Sequence, residues 1–197
     1  DFPTGVKTPG HFQLQSYFLS SPESLQLSFH PSYRFGWGGC YHMGQQFPLL
    51  LQSARGHFRP CWFESRADDL SFAITNVYGP CDHASKPSFL QSLVDLKPQI
   101  SCPWTIIGDF NITLRPSDKS TTHFNMQEAN LFASTINTLR LQDLPLLDRR
   151  FTWSNQQEVP ILVRLDRALA SVDWASKFPD TSLCSLARTT SDHVPIR

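Results

Sequence analysis

Pro103-Trp104-Thr105-Ile106-Ile107-Gly108-Asp109-Phe110-Asn111 is the stretch from which the rest of this chain is read. Thr105 to Ile107 have the β-branched content of a buried strand. Gly108 lets the backbone turn where that strand ends. Asp109 and Asn111 then project from the carboxyl end of the strand, the place where open α/β layers put their sites. With the turn extended, alternate residues face the same way, so Asp109 and Asn111 share a face while Phe110 enters the packing. A carboxylate acceptor beside a carboxamide donor suits holding a water against an anionic phosphate. Taken alone, Gly-Asp-x-Asn reads more readily as a strand ending in an Asx-turn.

Working outward, Leu70 to Tyr78 reads as a central strand stopped by Gly79-Pro80, and Cys61 to Ser65 as its hairpin partner across residues 66–69. A helix from Pro87 to Leu96 follows, with Phe89, Leu90, Leu93 and Val94 on one side, proline in its first turn and Pro98 at its end. Asn125-x-x-Glu128 resembles a capping box opening a second helix, whose stripe is Ala129, Phe132, Ala133, Ile136 and Leu139. Phe151 to Trp153 and Ile161 to Leu169 read as strands, and Ser171 caps a helical turn carrying Trp174 and Phe178. Thr181 to Ala187 and His193 to Ile196 are the last expected strands. Before residue 60 the pattern is faint: a strand over Ser24–Phe29, an aromatic turn over Tyr33–Gly39 and a short strand over Phe47–Leu51. Strand-rich, hairpin-like organisation predicts two mostly antiparallel sheets packed face to face with helices outside, an α/β sandwich.

At 197 residues and 22.4 kDa, the length is that of one domain with one continuous core. Seventeen basic and seventeen acidic residues cancel, which argues against a passive, sequence-independent DNA coat but leaves room for an enzyme with a local basic rim. The five cysteines are odd in number, scattered and without Cys-x-x-Cys, the usage of free thiols in a reducing compartment. Two Cys-x-His pairs, Cys40/His42 and Cys81/His83, match no usual zinc spacing. No apolar run reaches membrane-spanning length and no signal peptide is visible, so no membrane partner is expected.

Chemistry-bearing residues concentrate in Asn76-Val-Tyr-Gly-Pro80, Gly108-Asp-Phe-Asn111, Arg164-Leu-Asp-Arg167 and Ser191-Asp-His193. In-line attack on a phosphodiester needs a base on one side and charge neutralisation on the other. An Asp beside a His fixes which imidazole nitrogen carries the proton. Blander readings fit each motif in isolation: Asp166 as an ion-pair partner of its flanking arginines, Asp192-His193 as a turn, Tyr78 as packing. In their order and spacing, the motifs resemble the endonuclease/exonuclease/phosphatase superfamily, to which deoxyribonuclease I and the apurinic/apyrimidinic endonucleases belong. Asp143-Leu-Pro-Leu146, Arg150-Phe-Thr-Trp-Ser-Asn155 and Arg164-Leu-Asp-Arg-Ala-Leu-Ala-Ser171 resemble the endonuclease domain of LINE-type non-LTR retrotransposons, the plant type in particular. The resemblance covers roughly residues 70–197 of a single domain spanning 1–197, with 1–60 divergent.

That resemblance implies a four-layer sandwich of deoxyribonuclease I type, incomplete at its N-terminus, and DNA nicking that depends on Mg²⁺, with Mn²⁺ as a substitute. Carried over residue by residue, Asp109 orients and deprotonates the attacking water, and Asn111 steadies that water and a phosphate oxygen. His193 contacts the scissile phosphate with Asp166 holding its ring, Tyr78 reaches the phosphate through its hydroxyl, and Asp192 helps hold the metal. The family further implies a DNA partner, a monomer, a reverse transcriptase region in the full-length element and access to the nucleus. Departures from the family pattern are equally visible. The metal-side Asn and the Gln-Glu-Thr-like segment near the start are absent, with only Glu23 and Glu64 before residue 70. Cys81 replaces an Asn after the Tyr-x-Pro unit, and Asp148 stands where the plant type carries Gly. These departures predict a truncated, drifting copy with impaired hydrolysis, or a catalytically dead remnant that binds nucleic acid weakly or not at all.

Overall fold

The computed structural model describes residues 57–65, 70–188 and 190–197. The strands expected at Ser24–Phe29 and Phe47–Leu51, the turn at Tyr33–Gly39, the Cys40/His42 pair and the divergent character of 1–60 up to residue 56 all lie outside the described residues.

The expected hairpin is present. Strand β1 (Phe58–Ser65) runs antiparallel to β2 (Leu70–Tyr78), in register from Phe58 opposite Val77 to Ser65 opposite Leu70. Strand β3 (Trp104–Asp109) lies parallel to β2. A parallel neighbour requires a crossover, here helix α1 (Lys86–Leu96) and a 3₁₀ turn over Lys97–Gln99 that contains Pro98. Helix α2 (Met126–Leu139) follows, and β4 (Leu141–Asp143) forms the far edge. Strands β5 (Trp153–Ser154) and β6 (Leu162–Val163) make a second, small sheet, and β7 (Asp166–Ser171) returns to the main one before helix α3 (Val172–Lys177). The main sheet reads β1-β2-β3-β7-β4, with β7 antiparallel to both neighbours.

Two faces follow from the period-two alternation of β2, β3 and β7. Ala73, Val77, Ile106 and Leu169 turn toward the helices, where Phe89, Leu90 and Leu93 of α1 meet Phe132, Ile136 and Leu139 of α2. Phe72, Ile74, Ile107, Ala168 and Ala170 turn the other way, onto Trp174, Phe178, Leu183 and Ile196. Each fully buried side chain of this size contributes about 1.5–3 kcal/mol. The two layers therefore hold the sheet from both sides, as in the DNase I-like sandwich expected from the sequence.

The local stop signals act largely as read. The Asn125 side chain accepts the Glu128 amide at 3.2 Å, opening α2, and Ser171 Oγ accepts the Trp174 amide at 3.1 Å, opening α3. The capping box is only half closed, because the Glu128 carboxylate turns to Lys86 Nζ at 2.9 Å and to His83 Nδ1 instead. Two expectations need correction. The segment Ile161 to Leu169 is not one strand: the backbone leaves the small sheet after Val163 and enters the main one at Asp166. Thr181–Ala187 and His193–Ile196 form isolated bridges, Leu146 with Leu183, Trp153 with His193 and Ser185 with Ile196, in place of full strands.

The arginines flanking Asp166 do not pair with it. Arg167, fully buried, bonds Asp143 Oδ2 at 2.8 Å and Asp118, while Arg164 bonds Asp143 Oδ1 at 3.2 Å and the Leu144 carbonyl at 2.8 Å. Alternation sends Arg167 to the helix side of β7, so Asp166 is left facing the opposite layer.

Candidate active site

The parallel β2–β3 pairing sets Tyr78 beside Asp109, and the antiparallel β3–β7 pairing sets Asp166 opposite Asp109. All three sit at one end of the face whose other end is the apolar layer of Phe72, Ile74 and Ile107. Asp109 and Asp166 are each 1% exposed, whereas Tyr78 is 53% exposed at the rim.

The turn after Asp109 is not extended. Asn111 is left-handed, with φ 52°, a conformation that asparagine tolerates better than most residues. It reaches Asp109 by folding back: its amide donates to Asp109 Oδ1 at 2.8 Å and its Nδ2 donates to Asp109 Oδ2 at 3.0 Å. The same Nδ2 donates to the Gly79 carbonyl at 2.8 Å, and the Gly79 amide donates to the Asp109 carbonyl at 2.7 Å. A Cβ on Gly79 would lie 2.3 Å from the Phe110 carbonyl oxygen, so this approach of the two turns requires glycine. Phe110 is buried as expected, packed on Phe132 at 5.1 Å between ring centroids.

His193 comes from the opposite layer. Its Nδ1 lies 2.9 Å from Asp166 Oδ2 and its Nε2 3.7 Å from Asp109 Oδ2. With Asp166 as a carboxylate, the Nδ1 contact places the proton on that nitrogen and turns Nε2 toward Asp109. Asp192 is tied down separately: Trp153 Nε1 donates to its Oδ2 at 2.8 Å, and the Ser154 amide donates to its carbonyl at 3.0 Å. A cleft of about 530 Å³ opens beside it, lined by Trp153, Asn155, Gln156, Thr190, Ser191 and Asp192.

The electrostatics follow from this geometry. Burial, then the Asp166 carboxylate, pushes the Asp109 carboxyl up to about 7, against the opposing pull of His193 and the Asn111 amide. Burial disfavours the charged His193 ring, but the bond to Asp166 and the surrounding carboxylates outweigh it and raise the pKa above the usual histidine value. Partial burial also opposes ionisation of Asp192, yet the Trp153 bond and the neighbouring His193 hold its carboxyl below the ordinary range. Partial burial, Cys81 and the nearby carboxylates raise the Tyr78 phenol, which keeps its proton available for donation.

The structure thus gathers Asp109, Asn111, Asp166 and His193 into one cluster, with Tyr78 and Asp192 at its edge. One ligand atom from each of Asp109, Asp166 and His193 lies within 4.8 Å of the others. Three residues of the neighbourhood have no role in the sequence reading. Asn76 Oδ1 is a buried acceptor without a hydrogen-bond partner among the described residues, two residues before Tyr78 on the same face of β2. Trp153 presents its indole N–H to Asp192. Thr152 is fully buried and hydrogen-bonded to the backbone on either side of Leu165. A carboxamide inside the apolar run Ile74-Thr-Asn-Val77 is a visible signal for the first, while the partners of the others lie too far along the chain to be seen.

For a divalent cation, the donor chemistry fits. The clustered carboxylate oxygens of Asp109 and Asp166 and the orphaned carbonyl oxygen of Asn76 are hard ligands, joined by a borderline His193 ring nitrogen.

The architecture is a DNase I-like fold. Among solved structures, the chain is similar to the endonuclease domain of TRAS1, a telomere-specific non-LTR retrotransposon, at TM-score 0.56 and 16% identity over 71% of this chain and 61% of that one. It is also similar to the 3'-5' exonuclease NExo from Neisseria meningitidis, at TM-score 0.53 and 17% identity over 64% of this chain and 59% of that one. A structure of the Neisseria 3' phosphatase NExo bound to product DNA hairpin matches at TM-score 0.53 and 18% identity, with 64% and 59% covered. The chain thus spans about three fifths of the length of these structures. No protein-family model and no curated protein matches it.

Proposed function

We propose that this chain is a metal-dependent phosphodiesterase domain that nicks DNA, of the plant LINE-type retrotransposon kind. The observation that carries the proposal is the convergence of Asp109 on a histidine held by a second buried carboxylate, His193 Nδ1 on Asp166 at 2.9 Å. Asp109 takes a proton from the attacking water, and its elevated pKa makes it a competent base near neutral pH. Asn111 holds Asp109 through both of its carboxylate oxygens and so fixes the direction of attack. Protonated His193, with its Nε2 edge toward Asp109, neutralises the charge that develops on the phosphoryl oxygens, and Tyr78 donates its phenol proton to the same group. Asp192, with Asn76 behind Tyr78, would hold the cation, which when bound polarises the phosphate and neutralises its charge. DNA as the partner, action as a monomer, a reverse transcriptase region in the full element and a nuclear location belong to the same reading.

The sequence lacks the Asn and Gln-Glu-Thr-like metal-side segments, which favours a second reading, a folded remnant that no longer cuts. Supercoiled-plasmid nicking with Mg²⁺ or Mn²⁺ separates the two readings, with Asp109→Asn and His193→Ala alongside and soluble phosphoesters as competing substrates. Nicking by the parent chain that both substitutions abolish supports the enzyme. A folded chain that neither nicks nor takes up Mg²⁺ in calorimetry supports the remnant.

A further inference from the structure

The Asp166–His193 pair joins two layers that share no continuous strand, and Thr152 stands at their junction. Its Oγ1 accepts the amides of Leu165 and Asp166, each at 3.0 Å. Its carbonyl accepts the amide of Val194, the residue after His193, at 2.7 Å, and its own amide donates to Val163 at 2.9 Å. The Leu165 carbonyl in turn accepts the amide of Phe110, between Asp109 and Asn111, at 3.1 Å. One fully buried residue therefore touches the backbone beside Asp166 and beside His193, and reaches the Asp109 turn through a single peptide.

We propose that Thr152 is a positioning residue for the Asp166–His193 pair, setting the imidazole so that the Nδ1 proton points at Asp166. The inference rests on the nuclease reading for its functional meaning, but its geometry is testable without catalysis. The hydroxyl carries the effect. Without it, the Leu165 and Asp166 amides are buried and unpaired, and the backbone shifts to satisfy them. Thr152→Val keeps the shape and β-branching and removes only the acceptor, whereas Thr152→Ser keeps the acceptor.

An imidazole proton held by a buried carboxylate gives a far-downfield, slowly exchanging proton resonance, assignable here by its loss in His193→Ala. That resonance is expected in the parent chain and in Thr152→Ser, and is lost or exchange-broadened in Thr152→Val while the core amide spectrum stays dispersed. Its absence from the parent chain, its persistence unchanged in Thr152→Val or its loss from folded Thr152→Ser overturns the proposal; should Thr152→Val fail to fold, the parent and Thr152→Ser spectra still decide. In the plasmid assay, Thr152→Val is expected to slow nicking about 10- to 100-fold, with little further loss when added to Asp166→Asn. A parent chain that shows the resonance but does not nick defeats the nuclease reading and leaves the positioning role intact.

Discussion

Asp109 carries a carboxyl pushed up to about 7 at a position that is 1% exposed, so its ionisation and the stability of the fold are linked. The folded chain holds a proton there that the unfolded chain releases near the ordinary aspartate value, so stability falls as pH rises from about 4 to about 7 and levels off above. His193 adds to the same trend: its raised pKa contributes stability below about 6.5, lost as pH climbs through the folded value. Asp109→Asn removes the buried charge, and we expect it to gain roughly 1–3 kcal/mol over the parent chain at pH 8 and little at pH 5, read from paired thermal melts. An equal difference at both pH values would mean that Asp109 is not the strained group. On the proposed mechanism, single-turnover nicking rises with pH through about 7 as Asp109 deprotonates and falls again at higher pH as His193 loses its proton. A pH-independent rate across that span would contradict the assigned base.

Elements with their own local signals are legible in the sequence. Helix α2 declares itself through Asn125 and its apolar stripe, β2 through a largely apolar run stopped by Gly79-Pro80, and β3 through the β-branched Thr105 to Ile107. The stretch from Ile161 to Leu169 misleads because strand-forming composition does not record which sheet a residue joins, and the change of sheet falls at Arg164 and Leu165. Asn111 misleads for a different reason. Its spacing places it beside Asp109, but its left-handed backbone depends on the Gly79 carbonyl, 32 residues away. Strand β5 shows the same limit: its two residues form little sheet, yet Trp153 reaches 39 residues along the chain to Asp192. If Asp192 holds the cation, the indole N–H orients that ligand, and removing such an outer partner weakens metal binding about 10- to 100-fold. Trp153→Phe preserves an aromatic ring and deletes the donor, and Mn²⁺ titration followed by electron paramagnetic resonance measures the loss. Unchanged affinity would assign Trp153 to packing alone.

Across the whole molecule, the candidate site is a seam. Asp109 and Asp166 belong to the main sheet, while His193 is carried by a segment bridged to Trp153 of the small sheet. The chemistry exists only while the two layers keep their alignment, since a slip of about one ångström already spoils a 2.9 Å contact. Sub-global opening of one layer costs less than complete unfolding. In rising urea, nicking is therefore expected to fail before the far-ultraviolet circular dichroism changes, and coincident midpoints would show that the layers part only when everything does. The His193–Asp166 distance acts as a vernier between two plates, so mild compression or a ligand wedged at their joint would throttle the reaction without touching a single reacting group.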